Sequence, residues 1–283
     1  MINKTFKYFL YLLFISLFIS LATTNSRVAF SRPGALIRMP SFYDSNIINQ
    51  YAIGLSNEII NTNTYNRAQS IYIHGASLSG LQYGVVYSTH AKTNNSDNSP
   101  PSEISFHFNY QIYETEKMYI STGINDVLFT ATSDHELSLF ISLINKGIPI
   151  GPQKRYFLES GMGFGSGKIN NDSHNYNDAI LHKARFFVGL NFKTPLLKDS
   201  GGIDFMLDFD GKGAHLGTKI PINKKLDFNF ALTNFQNLNN FNKYDDPVTE
   251  SVFSDSPGIA MGLHFIIPSK TDNQAKLYDV EIE

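Results

Sequence analysis

Between Gly202 and Leu232 the chain alternates apolar and polar positions in three runs joined by two turn signals. In the first run Ile203, Phe205, Leu207 and Phe209 share one face of an extended strand, and Asp204, Met206, Asp208 and Asp210 share the other, because successive strand side chains point to opposite sides. Asp210-Gly211-Lys212-Gly213 supplies turn chemistry, after which Leu216, Thr218 and Ile220 oppose His215, Gly217 and Lys219. Pro221 and Asn223 mark a second turn, and Leu226, Phe228, Phe230 and Leu232 then oppose Asp227, Asn229, Ala231 and Thr233. The pattern predicts an antiparallel meander with one greasy face and one that carries carboxylates.

The same period of two recurs over most of the chain. Tyr51, Ile53 and Leu55 oppose Ala52, Gly54 and Ser56, and a polar loop is expected around Asn61 to Asn66. Ser70 to His74 reads as a second strand, and Leu81, Tyr83, Val85 and Tyr87 oppose Gln82, Gly84, Val86 and Ser88 in a third. Ile104, Phe106, Phe108, Tyr110 and Ile112 oppose Ser105, His107, Asn109, Gln111 and Tyr113 in the cleanest strand of the chain. Further strands are predicted around Met118 to Asn125, Leu137 to Leu143, Tyr156 to Gly165, Phe186 to Phe192 and Ile259 to Phe265. That makes about twelve, with ten to fourteen as bounds, many near the nine to eleven residues that a tilted strand needs to cross a bilayer. Connections after the first, third, seventh and eleventh strands are long and polar, and those after the second, fourth and tenth are short.

The N-terminus changes the compartment. Lys4 and Lys7 precede an apolar run from Tyr8 to Leu21, and Ser20-Leu21-Ala22 has the small residues of an export cleavage site, so residues 1–22 read as a signal peptide. Residues 23–47, with Arg32-Pro33-Gly34-Ala35 and Met39-Pro40, read as an irregular lead-in lying inside or beneath the domain, since proline and glycine suit neither helix nor central strand. Residues 48–268 carry the strands, and 269–283 form a polar tail. Without residues 1–22 the 23 basic and 25 acidic residues become 21 and 25, a formal charge of −4. That balance excludes a basic nucleic-acid footprint. With no cysteine there is no disulfide framework, and with no later apolar run of spanning length, membrane residence has to be through strands.

Alternation alone fits a lipid-facing barrel and a soluble exported β-sandwich binding protein. Three features favour the barrel: long strands, a second face of Gly, Asn, Ser, Asp and His, and aromatics such as Tyr83, Tyr87, Tyr110, Tyr156, Phe186, Phe192 and Phe209 on the apolar face. Several lie near strand ends, where an interfacial girdle would put them. The expected fold is therefore all-β, a closed antiparallel transmembrane β-barrel with short periplasmic turns and longer outer loops. On the signal, the alternation and a terminal strand ending in Phe265, the chain over roughly Ile48 to Pro268 resembles Gram-negative outer-membrane β-barrel proteins. Through Arg32-Pro33-Gly34-Ala35-Leu36 it also resembles, more faintly, the fatty-acid-transporter-like barrels and the PorV/PorQ group. The resemblance implies residence in the cell outer membrane, with outer-membrane lipid and the barrel-assembly machinery as partners.

Candidate chemistry then falls on the inward face. His74, His107, Glu159, Arg185, Asp204, Asp208, His215, Lys219 and Asp227 are the expected lumen-lining residues. They could line a cation-leaning conduit or bind a small solute or lipid, but a salt-bridged, hydrogen-bonded filling of a narrow barrel is the favoured reading. Gly161-Met162-Gly163-Phe164-Gly165-Ser166-Gly167 lacks the following helix that a phosphate loop needs. It reads instead as bare inner surface for a plug or a close backbone approach. Asn171-Asp172-Ser173 and Asn95 to Asn98 lack calcium-loop spacing, and His90, His135, His174 and His182 lack metal-ligand spacing, so no metal or cofactor is expected. There is no G-x-S-x-G elbow and no H-E-x-x-H. A non-enzymatic transport, binding or structural role is expected, with a hydrolase built on a barrel as the alternative.

Overall fold

The computed structural model of the chain describes residues 28–34, 36–39, 51–61, 66–77, 79–91, 103–128, 138–151, 153, 155–165, 185–211, 213–240 and 257–267. The expected signal peptide, the tail, the loops at 92–102 and 168–177, and His135, His174 and His182 lie outside these residues, as do the side chains of His90 and Arg185. Twelve strands are present: β1 is Tyr51–Asn61, β2 Asn66–Ala76, β3 Leu81–Ala91, β4 Glu103–Glu114, β5 Met118–Leu128 and β6 Ser138–Ile150. β7 is Tyr156–Gly165, β8 Arg185–Lys193, β9 Asp204–Phe209, β10 Ala214–Asn223, β11 Leu226–Thr233 and β12 Gly258–Ile267. Each pairs with its neighbours antiparallel, and β1 pairs with β12 from Tyr51↔Ile267 to Ile59↔Ile259, so the sheet closes into a barrel. Closure leaves no sheet edge with unpaired amides.

The strands alternate largely as the sequence predicts; Tyr113, expected on the inward face of β4, is exposed because the pairing with β5 shifts register between Gln111 and Tyr113. On β4 Phe108 and Tyr110 are 44% and 47% exposed, whereas His107 and Asn109 between and before them are 1% and 5%. Every second residue of β11 and β12 is likewise buried. The outward face is thus apolar and the inward face enclosed. Two of the predicted boundaries move. β1, whose alternation reads clearly only to Ser56, runs on through Asn57, Glu58 and Ile59 to Asn61; of the loop expected around Asn61 to Asn66 the two end residues belong to β1 and β2, and 62–65 lie outside the described residues. β10 continues through Pro221 to Asn223, and the turn is Lys224-Lys225, closed by the Lys225 amide donating to Asn223 Oδ1 at 2.8 Å.

The inward face is not purely polar. Tyr119, Phe140, Ile144, Phe187 and Met206 point inward and pack with Ala29, Phe30, Leu36, Ile37 and Met39 of the N-terminal segment. The lumen therefore holds a small hydrophobic core, and its lining is close-packed in the way of a soluble interior. Three inward aromatics lie flat over a glycine on the neighbouring strand: Tyr72 over Gly54, Phe140 over Gly123 and Phe187 over Gly163. A Cβ at Gly123 or Gly163 would meet the facing ring at 2.5 Å. Gly163 belongs to the run read as bare inner surface, and what fills that bareness is the Phe187 ring.

Gly163→Val should therefore force Phe187 out of its seat and cost roughly 1–3 kcal/mol. The expected result is a lower urea midpoint for the folded, fast-migrating form on unheated gels, with Met162→Val on the outward face close to wild type.

Candidate functional site: a lumen closed by the N-terminal segment

Residues 28–34 and 36–39 lie inside the barrel as a folded-back strap. The Phe30 amide donates to Ile37 O at 2.9 Å and the Leu36 amide to Met39 O at 3.2 Å. Phe30 and Gly34 both take φ of 65°, the left-handed conformation that tight reversal needs. This is the lead-in that the sequence places inside or beneath the domain, and all its described residues except Gly34 are buried.

The strap is held by side chains of the wall. Asp208 Oδ2 accepts three consecutive backbone amides, those of Ile37 at 2.9 Å, Arg38 at 2.8 Å and Met39 at 2.9 Å. Successive amides that converge in this way form a cradle for an anionic oxygen, and charge assistance makes such bonds stronger than neutral ones. On the opposite limb, Glu58 Oε2 accepts the Ala29 amide at 3.2 Å, and Ser56 Oγ donates to Ala29 O at 2.5 Å. His74 Nε2 donates to Ser31 O at 2.8 Å. Arg38 forms an ion pair with Glu58, whose Oε1 also accepts from Thr233 Oγ1 at 2.6 Å.

Next to this anchor lies a second buried pair. His215 Nε2 faces Asp210 Oδ2 at 3.1 Å, and the Asn234 amide donates to His215 Nδ1 at 3.0 Å, which leaves Nε2 to carry the ring proton toward the carboxylate. Asp210 also closes its turn by accepting the Gly213 amide at 2.9 Å. Burial pushes the Asp210 carboxyl up, but His215, Arg38 and the Gly213 amide together outweigh burial and hold it well below the ordinary aspartate range. Burial likewise disfavours charge on Arg38, and Glu58, Asp210 and Asp208 reverse that, so its guanidinium is held more firmly protonated than usual.

Toward the short-turn end the lumen wall carries a ladder of alternating charge. Lys193 Nζ lies 2.8 Å from Glu159 Oε1, which belongs to the same carboxylate that accepts Asn191 Nδ2 at 2.9 Å. Asp204 sits in register between Lys193 and Lys219 on the strands either side. Lys219 then lies 3.4 Å from Asp227, and His264 lies 3.6 Å from the same oxygen. Across six adjacent strands each charge faces an opposite or a titratable neighbour.

On β4 and β5, Ser105 Oγ lies 3.0 Å from His107 Nε2, and His107 Nδ1 lies 3.3 Å from Asn125 Oδ1. The order of a hydroxyl, an imidazole and an orienting carbonyl is that of a nucleophilic relay. All three are buried, so this trio reads as a hydrogen-bonded part of the wall.

Thus, of the residues that sequence singles out, His74 and Asp208 grip the strap, His215 backs the anchor, and Glu159, Asp204, Lys219 and Asp227 form the ladder. His107 stands apart in its own network. Glu58, Arg38, Asp210, Ser56 and Thr233 were not among the predicted residues. For Glu58 the signal was present, since Ala52, Gly54, Ser56 and Glu58 continue one alternating face.

No family model and no curated protein matches the chain. Solved structures do. It is similar to the NanC porin at 6% identity and a TM-score of 0.46, over 76% of this chain and 98% of that one. It is similar to outer membrane phospholipase A from Escherichia coli at 12% identity and a TM-score of 0.35, over 78% and 92%. An active-site mutant of that phospholipase gives 12% and 0.35 over 87% and 95%. At these identities and TM-scores the likenesses carry no argument about this chain, whose closed antiparallel barrel rests on its own strand pairing.

Two outcomes are expected of the anchor. Asp208→Ala leaves three buried amides without an acceptor and should cost about 2–4 kcal/mol, read as faster hydrogen exchange at Ile37, Arg38 and Met39, with Asp208→Asn intermediate. For Asp210 the native carboxyl is depressed, so its stabilisation is present above about pH 4 and is lost as pH falls through the aspartate range and below. Asp210→Asn should lower the thermal midpoint at neutral pH and flatten its fall in acid.

Proposed function

We propose that this protein is exported and resides in an outer membrane as a non-enzymatic barrel whose conduit is shut by its own N-terminal segment. The observation that carries the reading is the strap: wall and strap meet through hydrogen bonds, the Arg38–Glu58 ion pair and a small apolar cluster, all of them reversible. The apolar outward belt supports the membrane. Aromatics toward the short-turn end, Tyr83, Tyr110, Tyr156 and Phe192, and toward the long-loop end, Tyr87, Phe186 and Phe209, support two interfaces. Barrel-assembly machinery and outer-membrane lipid are the partners that such residence requires.

Arg32, Pro33 and Gly34, which carry the resemblance to fatty-acid-transporter-like and PorV/PorQ-like barrels, fall in the reversal of the strap. In this reading that segment is the moving part, and a small solute or lipid passes when it withdraws. Among the described residues, the lumen it leaves has Glu58, Glu159, Asp204, Asp208, Asp210 and Asp227 against Lys193 and Lys219. Such a lining favours cations.

Planar-bilayer recording tests the proposal. The intact protein should be silent or flicker rarely, and a chain lacking residues 28–39 should give steady, cation-selective steps. Steady steps from the intact protein, or silence from a deletion variant that still shows heat-modifiable migration, would contradict a strap-closed conduit.

A further inference from the structure

At the short-turn end, the rim carries a feature that strap and ladder do not use. Residues between β8 and β9 form a closed turn in which the Thr194 amide donates to Ile203 O and the Ile203 amide to Leu196 O, both at 2.9 Å. Leu197 O accepts from the amides of Ser200, Gly201 and Gly202 at 2.9, 3.2 and 3.2 Å. This turn is rigidly built, and Leu197 holds φ of 59° within it, a conformation unfavourable for a residue with a side chain. Its product is two leucines held in the open, Leu196 at 56% and Leu197 at 54% exposure. Gly201 lies against Pro221 of β10, and the next residue, Ile222, is 55% exposed on the outward face. Lys198 on the same turn and Lys224 and Lys225 on the adjacent β10–β11 turn are exposed, with Asp199 the acid described in the two turns.

Two arguments fix the occupant. Pro221 is buried opposite Asp227 and the pairing of β10 with β11 shifts register between Pro221 and Asn223, so the exposed Ile222 ends the row Leu216, Thr218 and Ile220 at the rim and brings the apolar belt up to the turn. The charge beside it is positive, and lysines reach past an apolar surface to bind phosphate at the level of lipid headgroups. We propose that these two turns form a binding site for anionic phospholipid, with Leu196, Leu197 and Ile222 among the acyl chains and Lys198, Lys224 and Lys225 on the headgroup phosphate. This rests on the membrane reading above and adds the chemical class of lipid and its place on the barrel.

The test uses the full chain in nanodiscs of phosphatidylcholine alone and of phosphatidylcholine with one part in about three of phosphatidylglycerol. The anionic lipid should raise the thermal midpoint by roughly 5 °C. The triple variant Lys198→Gln, Lys224→Gln, Lys225→Gln should lose most of that rise, and Leu196→Ser with Leu197→Ser should lose part of it. Lys117→Gln with Arg155→Gln, exposed elsewhere on the same rim, should keep it. Equal midpoints in the two lipids, a full rise in the triple variant, or an equal loss in the Lys117 and Arg155 control would each overturn the site. Heat-modifiable migration of the same samples separates the two claims: if it is absent, the membrane reading itself falls and takes the site with it.

Discussion

A barrel wall is one residue thick, so each strand has to satisfy two environments with alternate side chains. Everything else in this protein follows from that constraint. One set of positions, Phe108, Tyr110, Leu207 and Leu216 among them, faces outward, and the intervening set faces an enclosure only twelve strands wide. Backbone polarity is settled by pairing all round, including β1 with β12, which lets the wall lie in a medium that offers no hydrogen bonds. The enclosure cannot be left empty, because an unfilled lumen lined by Tyr72, Phe140, Phe187 and Met206 would forfeit their packing. The chain fills it partly by seating rings on glycines and partly with its own N-terminal strap.

The filling is held by charges placed where they cannot be solvated freely. Burying a carboxylate is costly unless its oxygens are matched. Asp208 receives three amides, Glu58 receives Arg38, Thr233 and the Ala29 amide, and Asp210 receives His215 and the Gly213 amide. These carboxylates therefore position the strap more than they add net stability, and their removal leaves amides or a guanidinium stranded. The ladder from Glu159 to His264 solves the same problem differently, since each charge there meets its neighbour on the next strand. The described lumen thus holds a neutral hydrogen-bonded network on β4 and β5, a charged ladder from β7 to β12 and the strap.

Much of this was legible in the sequence because a period of two is a local signal that closure does not disturb. The twelve strands, the inward and outward sets and the Asp204/Asp208 face could all be read directly. Strand ends could not: the clean alternation of β1 was read only to Ser56, yet ladder bonds carry the strand on to Asn61. Glu58 was missed for that reason. The grip of Asp208 on Ile37, Arg38 and Met39 joins residues about 170 positions apart, and no local pattern announces it. The glycine seats were half visible, since bareness at Gly163 can be read from its neighbours, but its occupant depends on the register of β7 with β8.

Because the chain has no cysteine, single cysteines can be introduced and spin-labelled one at a time along β4, from Phe106 to Tyr110, in the membrane-reconstituted protein. Collision rates with oxygen, which concentrates in hydrocarbon, and with a water-soluble nickel chelate report what each site touches. The account predicts high oxygen and low nickel rates at Phe106, Phe108 and Tyr110, and low rates of both at His107 and Asn109. Free access of nickel to His107 and Asn109, with no oxygen preference at the aromatic positions, would contradict it.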